Sequence, residues 1–153
     1  APGVVFVLSD GIRGHVFQAR GLARALGRLC GAHVYEAPVP CLRDARRLWL
    51  LKIKPRLLPR LPRARIGSWL AHAGGLEVER TLLSALKKSG CAPQNALVLS
   101  CGSGSAPFAL ALARLYGAKS CTVMTPSVGL SHFDFAIVPG HDAPPERRNV
   151  FVT

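Results

Sequence analysis

The stretch from Val4 to Leu29, VVFVLSDGIRGHVFQARGLARALGRL, constrains the fold more than any other part of the chain. Val4 to Leu8 is an unbroken apolar run of strand-prone residues, the pattern of a strand buried on both faces. Hydrophobicity then changes period. Val16, Ala19, Leu22, Ala23, Leu26 and Leu29 share one helical face, and Arg20, Arg24 and Arg28 line the other. Between strand and helix, Ser9 to His15 forms a glycine-bearing turn with an acid and a histidine. A strand feeding a helix through glycines leaves backbone N–H groups free at the helix start, a place that favours anions.

The same alternation continues. Gly31 ends the first helix, and Ala32 to Glu36 reads as a second strand. Leu76 to Lys88 is a helix stopped by Gly90, and Ala96 to Ser100 is a buried strand. Cys101 to Pro107, CGSGSAP, is a second glycine turn. Pro107 and Gly117 bracket the helix Phe108 to Tyr116. Ser120 to Met124, Phe135 to Val138 and Val150 to Val152 complete the strands. Strands alternating with helices predict an α/β fold, a Rossmann-like three-layer sandwich around a mostly parallel sheet with right-handed crossovers. The 153 residues suffice for a single domain, 1–153, with one core. The chain opens almost directly in a strand and closes in the strand-like run NVFVT. We therefore expect a piece of a longer protein, with a second domain following Thr153.

Ligands of parallel sheets lie beyond the carboxyl ends of the strands, and the chemically capable residues fall there repeatedly. The first loop carries Asp10, Gly11, Gly14 and His15, with Gln18 one turn into the helix. A histidine changes charge close to neutrality, so His15 suits removal of a proton from a hydroxyl, with Asp10 orienting it. The second loop offers Gly102, Ser103, Gly104 and Ser105 for phosphate or sugar hydroxyls. A third cluster, His141 and Asp142 in P-G-H-D, follows the strand ending at Val138, and Thr125 and Ser127 follow the one before it.

Neither glycine loop completes the dinucleotide fingerprint G-x-G-x-x-G: Ser9 stands at its first glycine in one, Pro107 at its third in the other. No G-K-[ST] is present, so the P-loop is excluded. Glu36, at the end of the second strand, suits a ribose-binding acid and keeps a nicotinamide-dependent oxidoreductase as one alternative. His132 and Asp134 lie close in sequence to the third cluster, but metal-ligand spacing is lacking there and among the five cysteines, so no metal is expected. The cysteines read as reduced buried thiols, and Cys101, beside a glycine loop, is the one to test for reactivity.

The net charge is +12, and Cys41 to Arg65 alone holds nine basic residues and one acid. Its arginines alternate with leucines and Trp49. The expected form is a short amphipathic helix to about Lys54, then a stretch kinked by Pro55, Pro59 and Pro62. A merely solvated face would not carry those apolar residues. Stacking aromatics are scarce, so nucleic acid is not the expected partner. An anionic membrane surface is, since each cation near anionic lipid contributes roughly 1 kcal/mol and apolar side chains add burial; packing of the segment onto a second domain is the alternative. Arg46, Arg47, Trp49, Lys52, Arg56, Arg60 and Arg63 are the candidate contacts, within a segment spanning 42–66. No apolar run approaches the ~20 residues of a transmembrane helix, and no signal peptide is recognisable.

Three motifs together resemble the mitochondrial-fission-protein family of bacteria and plants. They are D-G-x-x-G-H-x-x-Q (Asp10 to Gln18), S-C-G-S-G-S-A-P (Ser100 to Pro107) and F-D-x-x-x-V-P-x-H-D (Phe133 to Asp142) followed by N-V-x-V-T. The chain departs from that pattern at Ser103 and Gly104, where such proteins usually carry arginines. The family in turn resembles GT-B glycosyltransferases, and the Gly14-His15 loop is similar to the acceptor-side loop of the enzyme that makes peptidoglycan's lipid-linked precursor. The resemblance implies an amino-terminal, acceptor-facing domain with His15 and Asp10 as catalytic candidates and a basic-hydrophobic membrane patch. It also implies a nucleotide-sugar donor bound mostly by the second domain, so that this domain alone holds no cofactor. A peripheral place on a membrane is implied, on the mitochondrial outer surface in a eukaryote or the inner face of the plasma membrane in a bacterium. In plants the family is associated with recruitment of a dynamin-related protein, which implies the alternative of a non-enzymatic adaptor in organelle fission.

Overall fold

The computed structural model describes residues 1–40 and 57–153. The helix expected up to Lys54, Cys41, and the membrane candidates Arg46, Arg47, Trp49, Lys52 and Arg56 lie outside the described residues.

Six parallel strands form one sheet: β1 (Val4–Ser9), β2 (His33–Pro38), β3 (Ala96–Cys101), β4 (Lys119–Val123), β5 (Phe135–Val138) and β6 (Val150–Val152), in the order β2-β1-β3-β4-β5-β6. The described helices are α1 (Arg13–Cys30), α2 (Arg63–His72), α3 (Leu76–Ser89) and α4 (Ala106–Tyr116), with short 3-10 turns between several elements. The result is the α/β three-layer sandwich that the alternation predicts.

β1 is the centre of the architecture. Val4, Phe6 and Leu8 pack against α2, α3 and α4 on one face, while Val5 and Val7 pack against α1 on the other. Each is at most 1% exposed, and full burial of such a side chain is worth about 1.5–3 kcal/mol. A strand enclosed in this way must be apolar at every position, which is why the run VVFVL carries no alternation. The layers are unequal. After β3 every step across the sheet runs in one direction, so right-handed crossovers send α4 and the later loops to the α2–α3 face. Val128 and Phe133 of the β4–β5 loop join the core there. α1 alone packs on the opposite face among the described residues.

Helix ends follow the punctuation in the sequence: Gly31, Gly90 and Gly117 each stand at a C-terminal cap. Two expectations need correction. α1 begins at Arg13, so His15 sits in its first turn and not in a free loop, and Leu29 is 82% exposed, beyond the sheet that α1 covers. The larger one concerns α2, where a kinked stretch was expected through Arg65. Pro62 stands at the N-cap, where the missing N–H costs nothing, so the helix starts at once with Arg63. Ile66, Trp69 and Leu70, at i, i+3 and i+4, form its buried face, and the Trp69 ring meets Phe108 of α4 with centroids 5.4 Å apart.

Candidate functional site

The chain leaves β1 toward β2 on one side and later returns to β3 on the other. The loops after β1 and β3 therefore diverge, and the crevice between them is where ligands of open α/β sheets bind. The first two motifs both arrive at this point.

Asp10 divides its carboxylate between two donors. Oδ1 accepts the Ile12 N–H at 3.0 Å, which turns the chain into α1. Oδ2 lies 2.6 Å from His15 Nδ1. The pair is shielded, with the Asp10 side chain 7% and the His15 side chain 22% exposed. With an Nδ1–H donated to a carboxylate, the Nε2 lone pair is left to accept a proton.

The second loop closes over this pair. Gly102 has φ +76, and a Cβ built on it would lie 2.6 Å from His15 Nδ1 and also collide with Cε1. Any side chain here would both strain the backbone and displace the imidazole. A Cβ at Gly104 would stand 3.4 Å from that of Asp10. The Cys101 thiol, behind the pair, donates to Gln18 Oε1 at 3.9 Å. Burial, and then the charge of Asp10, push that thiol up to about 12. It stays protonated near neutrality, which corrects the view of Cys101 as a reactive candidate. Burial likewise pushes Cys121 up to about 12, whereas Cys30 is exposed, contrary to the expectation that all the thiols are buried.

Other candidates separate into distinct places. Ser105 is fully buried, its hydroxyl donating to Cys101 O at 2.9 Å and accepting from Cys101 N at 3.1 Å, so it fastens the loop. Ser103 is exposed. Gly11 adopts φ +80, and the positions of a Cβ at Gly11 or Gly14 meet no described atom within 4 Å. Both glycines therefore face open space from which a ligand can approach the backbone. Glu36 accepts through both oxygens from Arg20, at 2.7 and 2.9 Å, an ion pair that ties β2 to α1.

His141 and Asp142 stand at the end of β5, two strands from β3, hence about 10 Å further along the sheet edge. Asp142 Oδ2 accepts the Thr125 hydroxyl at 2.7 Å, and His141 Nε2 lies 3.5 Å from Oδ1. They do not join the His15 pair. Asp134 is structural. Its carboxylate takes the Ser120 N–H and Lys119 Nζ, both at 2.9 Å, tying β5 to β4. Burial acts to raise its pKa, but these bonds and the Lys119 charge outweigh that and hold it below the usual carboxylate range.

Arg60 and Arg63 come together with Arg114, which the sequence did not single out, and with His132, which it placed beside the third cluster. Arg63 Nε donates to the Arg114 carbonyl at 3.4 Å. Burial first, then the charges of Arg60 and Arg114, hold the His132 imidazole below its usual value. No acid among the described residues forms an ion pair with Arg60, Arg63 or Arg114. A contact between helix end and loop has no local signature, so nothing in the sequence marked Arg114 or brought His132 to these arginines.

A family model described as mitochondrial fission ELM1 matches residues 13–153. The chain belongs to the mitochondrial fission ELM1 family. The match takes in His15, the whole second loop and the β5 end, and begins three residues after Asp10. No curated protein and no solved structure matches the chain. Among the described residues, no helix is long and apolar enough to cross a membrane, and no group of three or more His, Cys, Asp or Glu could hold a metal ion.

Proposed function

We propose that this ELM1-family chain is the acceptor-side domain of a GT-B glycosyltransferase-like protein, with His15 as general base on an acceptor hydroxyl. The observation that carries the reading is the 2.6 Å contact between Asp10 and His15 Nδ1 at the switch point, under a glycine whose missing side chain makes room for the ring. Asp10 fixes the tautomer and would stabilise the imidazolium formed when Nε2 takes the hydroxyl proton. Gly11 and Gly14 let the acceptor approach the backbone at the start of α1. The sugar would come from a nucleotide-sugar held mainly by a second domain. The test is turnover of nucleotide-sugars with lipid and polyol acceptors. His15→Ala should lower the rate by about 10²–10⁴-fold, and an unchanged rate overturns the assignment of the base.

A second reading, a non-enzymatic membrane adaptor in organelle fission that recruits a dynamin-related protein, draws on the family's description and on the basic group around Arg60, Arg63 and Arg114. In both readings the protein sits peripherally on an anionic membrane. Co-sedimentation with vesicles containing phosphatidylserine should weaken steeply with salt and with Arg60→Glu and Arg63→Glu. Binding indifferent to both refutes the membrane contact.

A further inference from the structure

The β4–β5 and β5–β6 loops line a solvent-open cavity of about 310 Å³, formed by residues 125–131 with Pro145 and Arg147. It shares no residue with the Asp10–His15 pair. Its lining is chemically two-sided. Arg147 supplies a cation that makes no ion pair with any acid among the described residues. Thr125, Ser127 and Ser131 supply hydroxyls. Thr125 already gives its proton to Asp142, so it can offer a ligand only its oxygen lone pairs. It therefore selects a group that donates, a hydroxyl and not a phosphate oxygen. The guanidinium selects the opposite, an anion.

The walls are stiff. Pro126 and Pro145 fix their own φ and restrict the residues before them. Val128 anchors the loop in the core at 1% exposure. Met124 and Ala143 hold φ +67 and +44, conformations that non-glycine residues keep only where the surroundings impose them. They flank Thr125 and Asp142, the two residues joined across the loops. A preformed site loses little entropy when a ligand enters.

We propose that this cavity binds a small phosphorylated polyol, its phosphate on Arg147 and its hydroxyls on Thr125, Ser127 and Ser131. The volume lies at the low end for ligand pockets. It suits one phosphorylated ring and not a nucleotide joined to a sugar. The site stands beside the His15 crevice on the same sheet edge and does not depend on the glycosyltransferase reading.

The test is amide-resolved NMR titration of the chain at 150 mM salt with glucose 1-phosphate and glycerol 3-phosphate, and separately with glucose and inorganic phosphate. At least one phosphorylated polyol should saturate shifts in residues 125–131 and 147, with glucose and phosphate each at least tenfold weaker. Arg147→Gln, an exposed change that leaves the core untouched, should weaken binding at least tenfold, and Ser127→Ala severalfold. The proposal fails if neither phosphorylated polyol saturates these shifts, if Arg147→Gln binds as tightly as the parent, or if inorganic phosphate binds as tightly as the polyol phosphates.

Discussion

The switch point and the β4–β5 end both need backbone in the left-handed region, and they meet the need differently. At the switch point glycines supply it, Gly11 at φ +80 and Gly102 at φ +76. At the other end Met124 and Ala143 supply it, at φ +67 and +44. The glycines do so without a steric cost, and at Gly102 the missing Cβ is also the space that His15 occupies. Met124 and Ala143 carry strain of order 1–3 kcal/mol each, which the packing around them must offset. One region is thus relaxed and fitted around a histidine. The other is held under tension around an open cavity.

The largest effect that could break this comparison belongs to Gly102. Gly102→Val places a branched side chain at a left-handed φ and against the imidazole. We expect a loss of about 3 kcal/mol from strain and overpacking together, read by urea or thermal unfolding. Ser103→Ala, next door but exposed, should stay within about 0.5 kcal/mol. Equal effects at the two positions would mean that the loop does not close on His15.

At the opposite ends of the same two strands, Asp134 ties the start of β5 to the start of β4. Asp134→Asn should cost about 1–2 kcal/mol, reduced by the partial exposure of the group. The sign of the pH dependence follows from the depressed pKa. The charged carboxylate stabilises the fold fully above its ordinary value of 3.8 and progressively less as the pH falls below that. Parent and variant should therefore differ by a constant amount above about pH 5 and converge in more acid solution. A difference that grows toward acid contradicts the lowered pKa.

Ala143→Gly should act in the other direction. Glycine removes the left-handed penalty of about 1–2 kcal/mol but adds about 0.5–1 kcal/mol of unfolded-state entropy. A net gain of roughly 0.5 kcal/mol is expected. A loss in stability would show that residue 143 is not strained.

These contrasts explain what could be read from the sequence. VVFVL and ALVLS announce buried strands because apolar side chains on both faces have no other soluble arrangement. Asp10, His15 and the CGSGSAP loop were legible as site material because a glycine turn between a strand end and a helix start leaves backbone N–H groups free. Their convergence was not, since it depends on β3 lying beside β1. The helix α2 was hidden because Pro62 signals a break and an N-cap alike, and only packing of Ile66 and Trp69 on the core separates the two. Met124 and Ala143 left no trace at all: tertiary packing imposes their φ on residues that do not favour it. Arg147 was one cation among many until the fold placed it in the lining of one cavity with Thr125.

The last effect concerns how tightly the switch point is sealed. Cys101 lies behind the His15 pair, 2% exposed, with its thiol pushed up to about 12 by burial and by Asp10. Cys30, at the end of α1, is exposed. Alkylation requires both access and thiolate. At pH 8 a thiol titrating near 12 is almost wholly protonated, so Cys101 lacks both requirements. Native iodoacetamide labelling followed by peptide mass mapping should therefore modify Cys30 at least a hundredfold faster than Cys101. Gly102→Val, by forcing the imidazole away, should raise the Cys101 rate while leaving Cys30 unchanged. Equal rates in the parent chain would mean that the crevice opens to solvent behind His15, and the distinction between a closed switch point and an open β4–β5 cavity would not hold.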